Sequence, residues 1–118
     1  MVNEDGVVEG TAYLQGTAEI YPRMRRAPSA RLTLHLVPVD EPDATPAKSG
    51  TQNLGVVVPI PVRLKFRPSD LDLTRDWGVI ATLETGGVVS HRTQAPFPAI
   101  VDGRLKNLAL VLTPSRDN

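Results

Sequence analysis

Val62-Arg63-Leu64-Lys65-Phe66-Arg67 alternates apolar and cationic side chains without a break. Successive side chains of an extended strand point to opposite faces, so a period of two turns Val62, Leu64 and Phe66 toward a core and Arg63, Lys65 and Arg67 toward water. A helix, with its longer period, cannot make that division. Leu32-Thr33-Leu34-His35-Leu36 and Trp77-Gly78-Val79-Ile80-Ala81-Thr82-Leu83 carry the same period. Together these segments predict an all-β domain.

The rest of the chain is read outward from them. Residues 7–21 are rich in Val, Thr, Ala, Ile and Tyr, with Gly10 and Gly16 interrupting, and predict a first strand that bends near Gly16, firmest over Thr17–Tyr21. Pro22 to Ser29 is a proline-bounded basic corner. Asp40 to Gly55 reads DEPDATPAKSGTQNLG, with almost nothing to bury, and is expected to be a long mobile loop that could be cut to a short glycine linker without loss of the fold. Val56 to Arg67 resumes as strand, with Pro59 and Pro61 marking an edge that is a poor template for strand addition. Pro68-Ser69-Asp70-Leu71-Asp72 predicts one helical turn capped by Ser69, with Leu71 tucked inward. Trp77 to Thr85, a Gly86-Gly87 hairpin turn, Val88 to Arg92 and a closing strand from Leu105 to Leu112 complete the pattern. About seven short strands with no crossover helix between them indicate a single-domain antiparallel β-sandwich. Its expected core is Ala18, Ile20, Leu32, Leu34, Leu36, Val62, Leu64, Phe66, Leu71, Trp77, Val79, Ala81, Leu83, Leu108, Leu110 and Leu112. Residues 1–15 are expected to be flexible or part of the first strand, residues 16–113 the sandwich, and residues 114–118 a disordered tail.

Composition narrows the function. A chain of 118 residues fits one domain, and zero net charge argues against a protein built to hold nucleic acid. Cysteine is absent, which removes disulfides, a thiol nucleophile and cysteine-type zinc sites. Met1-Val2-Asn3-Glu4-Asp5 has neither a basic leader nor an apolar stretch behind it, so no signal peptide is expected within the chain as given.

The chemistry-bearing residues are few. His35 falls on the outward side of its strand. His91 follows Ser90, but neighbouring strand residues face opposite ways, so a catalytic pair is not expected. Asp70, Asp72 and Asp76 lack the glycine and distal glutamate of a calcium loop and read as caps. No catalytic residue, metal ligand or cofactor site is expected. Two basic groups remain: Arg23, Arg25 and Arg26 in the corner, and the row Arg63, Lys65 and Arg67. Were the Arg31 strand paired with the Val62 strand, these groups, Arg31 and His35 would form one positive face for an acidic partner, an anionic lipid or a glycan. Too few aromatics are present for stacking on bases.

The order of these features resembles a family. Gly16-Thr17-Ala18-Glu19-Ile20, the basic stretch Arg23 to Arg26, Pro28-Ser29-Ala30-Arg31-Leu32-Thr33-Leu34, Val58-Pro59-Ile60-Pro61-Val62, Phe66-Arg67-Pro68-Ser69-Asp70-Leu71-Asp72 and Trp77-Gly78-Val79-Ile80-Ala81-Thr82-Leu83 are similar to the YbaY/YscW-type family, the type III secretion lipoprotein chaperone domain. The similarity runs over residues 16–112. It implies a non-catalytic envelope module, pilotin-like in some relatives, that helps an outer-membrane secretin reach its membrane. It also implies a protein client and an N-terminal lipid at the periplasmic side of the outer membrane. The lipid-bearing cysteine is missing from this chain, so that address requires an upstream signal and lipobox; without them a cytoplasmic location is expected. The alternative is a structural envelope protein that binds anionic lipid or glycan through a basic sheet face. Oligomeric state is not legible.

Overall fold

The computed structural model describes residues 11–21, 30–53 and 60–114. The expectations for Arg23, Arg25, Arg26, Pro59, the residues before Thr11 and the tail after Pro114 lie outside the described residues.

The strands in chain order are β1 (Ala12–Ile20), β2 (Arg31–Pro38), β3 (Lys48–Asn53), β4 (Ile60–Phe66), β5 (Trp77–Thr85), β6 (Val88–Arg92), β7 (Phe97–Val101), β8 (Arg104–Leu105) and β9 (Leu108–Pro114). Hydrogen bonding runs β3-β2-β5-β6-β9-β1-β4, with β7 paired to β5 and β8 to β7. One layer is β9-β1-β4 and the other is β3-β2-β5-β6 with β7 and β8. β9 belongs to both, because Leu108–Leu112 pair with Gly16–Ile20 of β1 in parallel while Thr113 and Pro114 pair with Arg92 and His91 of β6. The all-β sandwich read from the sequence is the observed fold.

Burial follows the period of two. In β4, Ile60, Val62, Leu64 and Phe66 are buried while Pro61, Arg63 and Lys65 are exposed. The expected core is the observed one, with Ile20 and Leu71 packed against it half-buried and Ala12, Leu14, Ala30, Ile60, Ala99 and Ile100 added. Val37 and Ile80, on the opposite face of the β2–β5 layer from Leu36 and Val79, are buried as well. They lie on the side where Pro42, Ala44 and Pro46 of the following connection approach the sheet.

Several expectations need correction. The span Asp40–Gly55 is not a loop throughout: Lys48–Asn53 form β3, paired with Arg31–Leu36 of β2. A glycine linker in its place would delete an edge strand, so it would not leave the fold intact. The earlier part of the span is also tied down, by Arg75 bridging Asp40 at 2.8 Å and Glu41 at 2.6 Å and by the Ala47 N–H donating to the Leu36 carbonyl. The closing segment is two strands, β8 and β9, and β7 was not expected at all. The turn after β4 is a short 3-10 helix over Pro68–Asp70 that begins beyond Arg67 with no side-chain cap, so Ser69 does not cap it. Proline at the first position supplies the fixed φ that starts it.

The two glycines of the β5–β6 hairpin do what the sequence demands. Gly86 and Gly87 have φ of 62° and 83°, the paired left-handed residues of a type I′ turn. A Cβ on Gly87 would meet no neighbour, so Gly87→Val is expected to cost only the conformational penalty, about 1 to 2 kcal/mol, read as a lowered urea midpoint with unchanged slope.

Candidate binding face

The structure divides the basic residues between the two layers. β2 pairs with β3 and β5, and β4 pairs with β1, so the Arg31 strand does not adjoin the Val62 strand by hydrogen bonding. Arg31 and His35 therefore sit on a different sheet from Arg63, Lys65 and Arg67, and the single merged positive face expected from the sequence does not form. Pairing partner is a long-range property that a strand's own period does not encode.

On β2, Arg31 stands opposite Glu84 of β5 in register. His35 is half-buried, with Nδ1 2.9 Å from Ser49 Oγ of β3. Burial holds its imidazole below the ordinary value of 6.5; Glu84 opposes that shift and Arg92 reinforces it. The unfolded chain therefore takes up this proton more readily than the folded one. Stability contributed by neutral His35 is present above the unfolded pKa and lost as pH falls through the lower folded one. Urea midpoints measured at about pH 7.5 and about pH 5.5 should fall on acidification, and His35→Gln should flatten that fall.

The β4 row has a different setting. Tyr13 faces Lys65 and Gln15 faces Arg63 across the β1–β4 ladder. The diagonal neighbours Arg63 and Tyr13 meet, with the guanidinium carbon 3.8 Å from the ring centroid, a cation–π contact that keeps the side chain against the sheet. Among the described residues the only ion pairs are those of Arg75, so Arg63, Lys65 and Arg67 face solvent without a carboxylate partner. Beside them lies an open groove of about 590 Å³ lined by Gln15, Thr17, Gln52, Pro61, Arg63 and Asn107 among others. Gln52 crosses from the other layer, its Nε2 donating to the Pro61 carbonyl at 2.8 Å. Amide side chains beside unpaired cations on an end strand form a surface able to bind an extended chain carrying carboxylates.

Tyr13, Gln15, Gln52 and Asn107 escaped the sequence reading. The first two were accessible to it, because Tyr13, Gln15, Thr17 and Glu19 alternate with Ala12, Leu14, Gly16 and Ala18. Gln52 lies in β3, whose polar sequence has the composition of a loop.

His91 is buried, and its Nδ1 lies 3.0 Å from Ser90 Oγ. The neighbours meet because Leu83 faces His91 while Glu84 faces Val89, leaving Ser90 as the extra residue of a bulge. The expectation that strand alternation would separate them is corrected. Among the described residues no carboxylate is hydrogen-bonded to that imidazole. Asp72 accepts from the Thr74 amide and hydroxyl, and Asp76 accepts from the Asp102 amide, so both act on turns as read from the sequence.

The chain superposes on a structure described as an alternative pilotin from the type II secretion system of Vibrio cholerae, with a TM-score of 0.77 and 20% sequence identity, covering 91% of this chain and 99% of that one. At that identity the likeness is one of fold. No curated protein matches the chain. The family described as "Type III secretion system lipoprotein chaperone (YscW)" matches residues 9–112, nearly the whole domain. The chain therefore belongs to the YscW family of type III secretion system lipoprotein chaperones.

Proposed function

We propose that this protein is a non-catalytic, pilotin-like binding module that holds a segment of an outer-membrane secretion component, a secretin, and assists its localisation or assembly. Family membership and the fold shared with a type II pilotin support the class. The observation that carries the site is the row Arg63 and Lys65 on the end strand β4 and Arg67 just beyond it, without an ion-pair partner among the described residues, with Arg63 pre-set on Tyr13 and a groove partly lined by amide side chains beside it. A client segment bearing carboxylates would exchange water for charge-assisted hydrogen bonds along that row. The working address is the periplasmic side of the outer membrane.

The second reading, a structural protein that holds anionic lipid or glycan, draws on the same cations. Cells whose own gene is replaced by the triple variant Arg63→Gln, Lys65→Gln, Arg67→Gln separate the two. The client reading expects assembled secretin in the outer membrane to fall at unchanged variant abundance. Normal secretin assembly together with lost binding to vesicles rich in anionic lipid would overturn it in favour of the lipid reading.

A further inference from the structure

The hydrogen-bonded strand order ends at β3 and β4, so β4 pairs with β1 along one edge and with no strand of the described residues along the other. Pro61 shows which backbone groups that second edge presents. A residue of an antiparallel strand turns both its N–H and its C=O toward the neighbouring strand or turns both away, and the choice alternates along the chain. The Pro61 carbonyl accepts from Gln52 Nε2 of the other layer, so it points away from β1. Arg63 and Lys65 share its parity and each present an N–H and a C=O on that side, while Val62 and Leu64 turn theirs to Gly16 and Leu14. Among the described residues no backbone group pairs with Arg63 or Lys65 along this edge.

The edge is closed at one position and open at the two that follow in its parity. Pro61 has no N–H to offer, and Gln52 occupies its carbonyl. The block that proline sets on strand addition therefore acts at Pro61 and does not reach Arg63. Arg63 and Lys65 are exposed on the outer face, opposite to the buried Val62 and Leu64. Antiparallel pairing of two copies through these residues would set cation against cation, which is destabilising, so the edge is guarded against a second copy of itself. A strand with carboxylates on its outer face meets the same two cations favourably.

We infer that β4 takes an extended acidic segment of a protein partner as an added antiparallel strand, its backbone paired with Arg63 and Lys65 and two carboxylate side chains, two residues apart, laid against their cations. This pairing deepens the proposed β4 site, on which it rests, by fixing the partner's conformation and register. Addition of a strand to an exposed edge is an established mode of peptide recognition, in which main-chain hydrogen bonds give affinity and alternate side chains give specificity.

The probe is the peptide fluorescein-Gly-Val-Glu-Val-Glu-Val-Gly-amide, read by fluorescence anisotropy. Both of its ends are blocked, so no chain terminus contributes. In the antiparallel pairing the two glutamate N–H groups face β4 and those of the valines face away. The peptide should bind the parent saturably. N-methylation of both glutamate nitrogens should weaken binding about tenfold or worse, whereas N-methylation of the two valines that precede them should leave it within about twofold. The double variant Arg63→Gln, Lys65→Gln should also lose about tenfold or more at an unchanged denaturation midpoint. No saturable binding, an equal loss in the two methylated peptides, a loss in the valine-methylated peptide alone, or normal binding by the glutamate-methylated one would each overturn the added strand. Self-association of the parent that the peptide competes away would overturn the acidic occupant in favour of a second copy. If the double variant loses binding while both methylated peptides keep it, the β4 row stands and the added strand alone fails; equal binding by parent and double variant would remove the row as well.

Discussion

Replacing Trp77 with Ala is expected to lower stability by about 3 to 5 kcal/mol, the range for removing a large aromatic from a core. Trp77 is only 7% exposed and opens β5, facing Pro38 of β2 on one side and Ile100 of β7 on the other. Its Nε1 donates to the Asp72 carbonyl at 3.0 Å. The ring therefore anchors the turn before β5 as well as filling the core between three strands. Truncation leaves a cavity and also leaves the Asp72 carbonyl without that donor, and the two costs add. Trp77→Phe separates them: it keeps most of the volume and should cost far less, with the lost hydrogen bond contributing about 1 kcal/mol. Chemical denaturation followed by far-ultraviolet circular dichroism reads both. A loss below about 1 kcal/mol for Trp77→Ala would contradict the packing described.

A second large effect is expected at Gly16, for a different reason from that at the hairpin glycines. A Cβ built on Gly16 would lie 2.0 Å from the Leu108 carbonyl oxygen and 2.5 Å from the Leu108 nitrogen. Both are backbone atoms of β9, so no side-chain rotation relieves the contact. The parallel pairing of Gly16–Ile20 with Leu108–Leu112 begins at this point and ties β9 to β1. Gly16→Val, which β-propensity alone would favour in a strand, should instead cost at least the upper end of the roughly 1 to 3 kcal/mol seen on overpacking, and loss of the folded state is the extreme outcome. A neutral result, within about 0.5 kcal/mol by urea denaturation, would mean that β9 does not approach β1 as described.

Which elements could be read in advance follows from where each strand lies. β2, β4 and β5 each turn one face to the core, and their alternation announces both the strand and the buried residues. β3 has the sequence KSGTQN, with no apolar residue, because it is an end strand whose central Gly50 already lies against the Leu64 side chain. A polar edge strand has the composition of a loop, and only its pairing reveals it. β7 was obscured by Pro98, although Asp102-Gly103, with φ of 52° and 75°, is the Asp-Gly signature of the two-residue turn joining it to β8.

The candidate face was legible to the same degree and no further. The row Arg63, Lys65 and Arg67 follows from the period of β4. Its separation from Arg31 and His35 does not, because nothing in either strand states that β4 pairs with β1 and β2 with β5. The groove is lined by residues of β1, β3, β4, the connection before β9 and β9 itself, five segments that only the folded chain brings together.

Arg63, Lys65 and Arg67 are proposed to bind the client. Isothermal titration of the purified domain with the purified secretin encoded in the same genome, comparing the parent with the variant carrying Arg63→Gln, Lys65→Gln and Arg67→Gln, tests this contact. The variant, with its denaturation midpoint unchanged, should bind about tenfold more weakly or worse, and the parent's affinity should fall as salt is raised. Equal affinities for parent and variant, insensitive to salt, would contradict it.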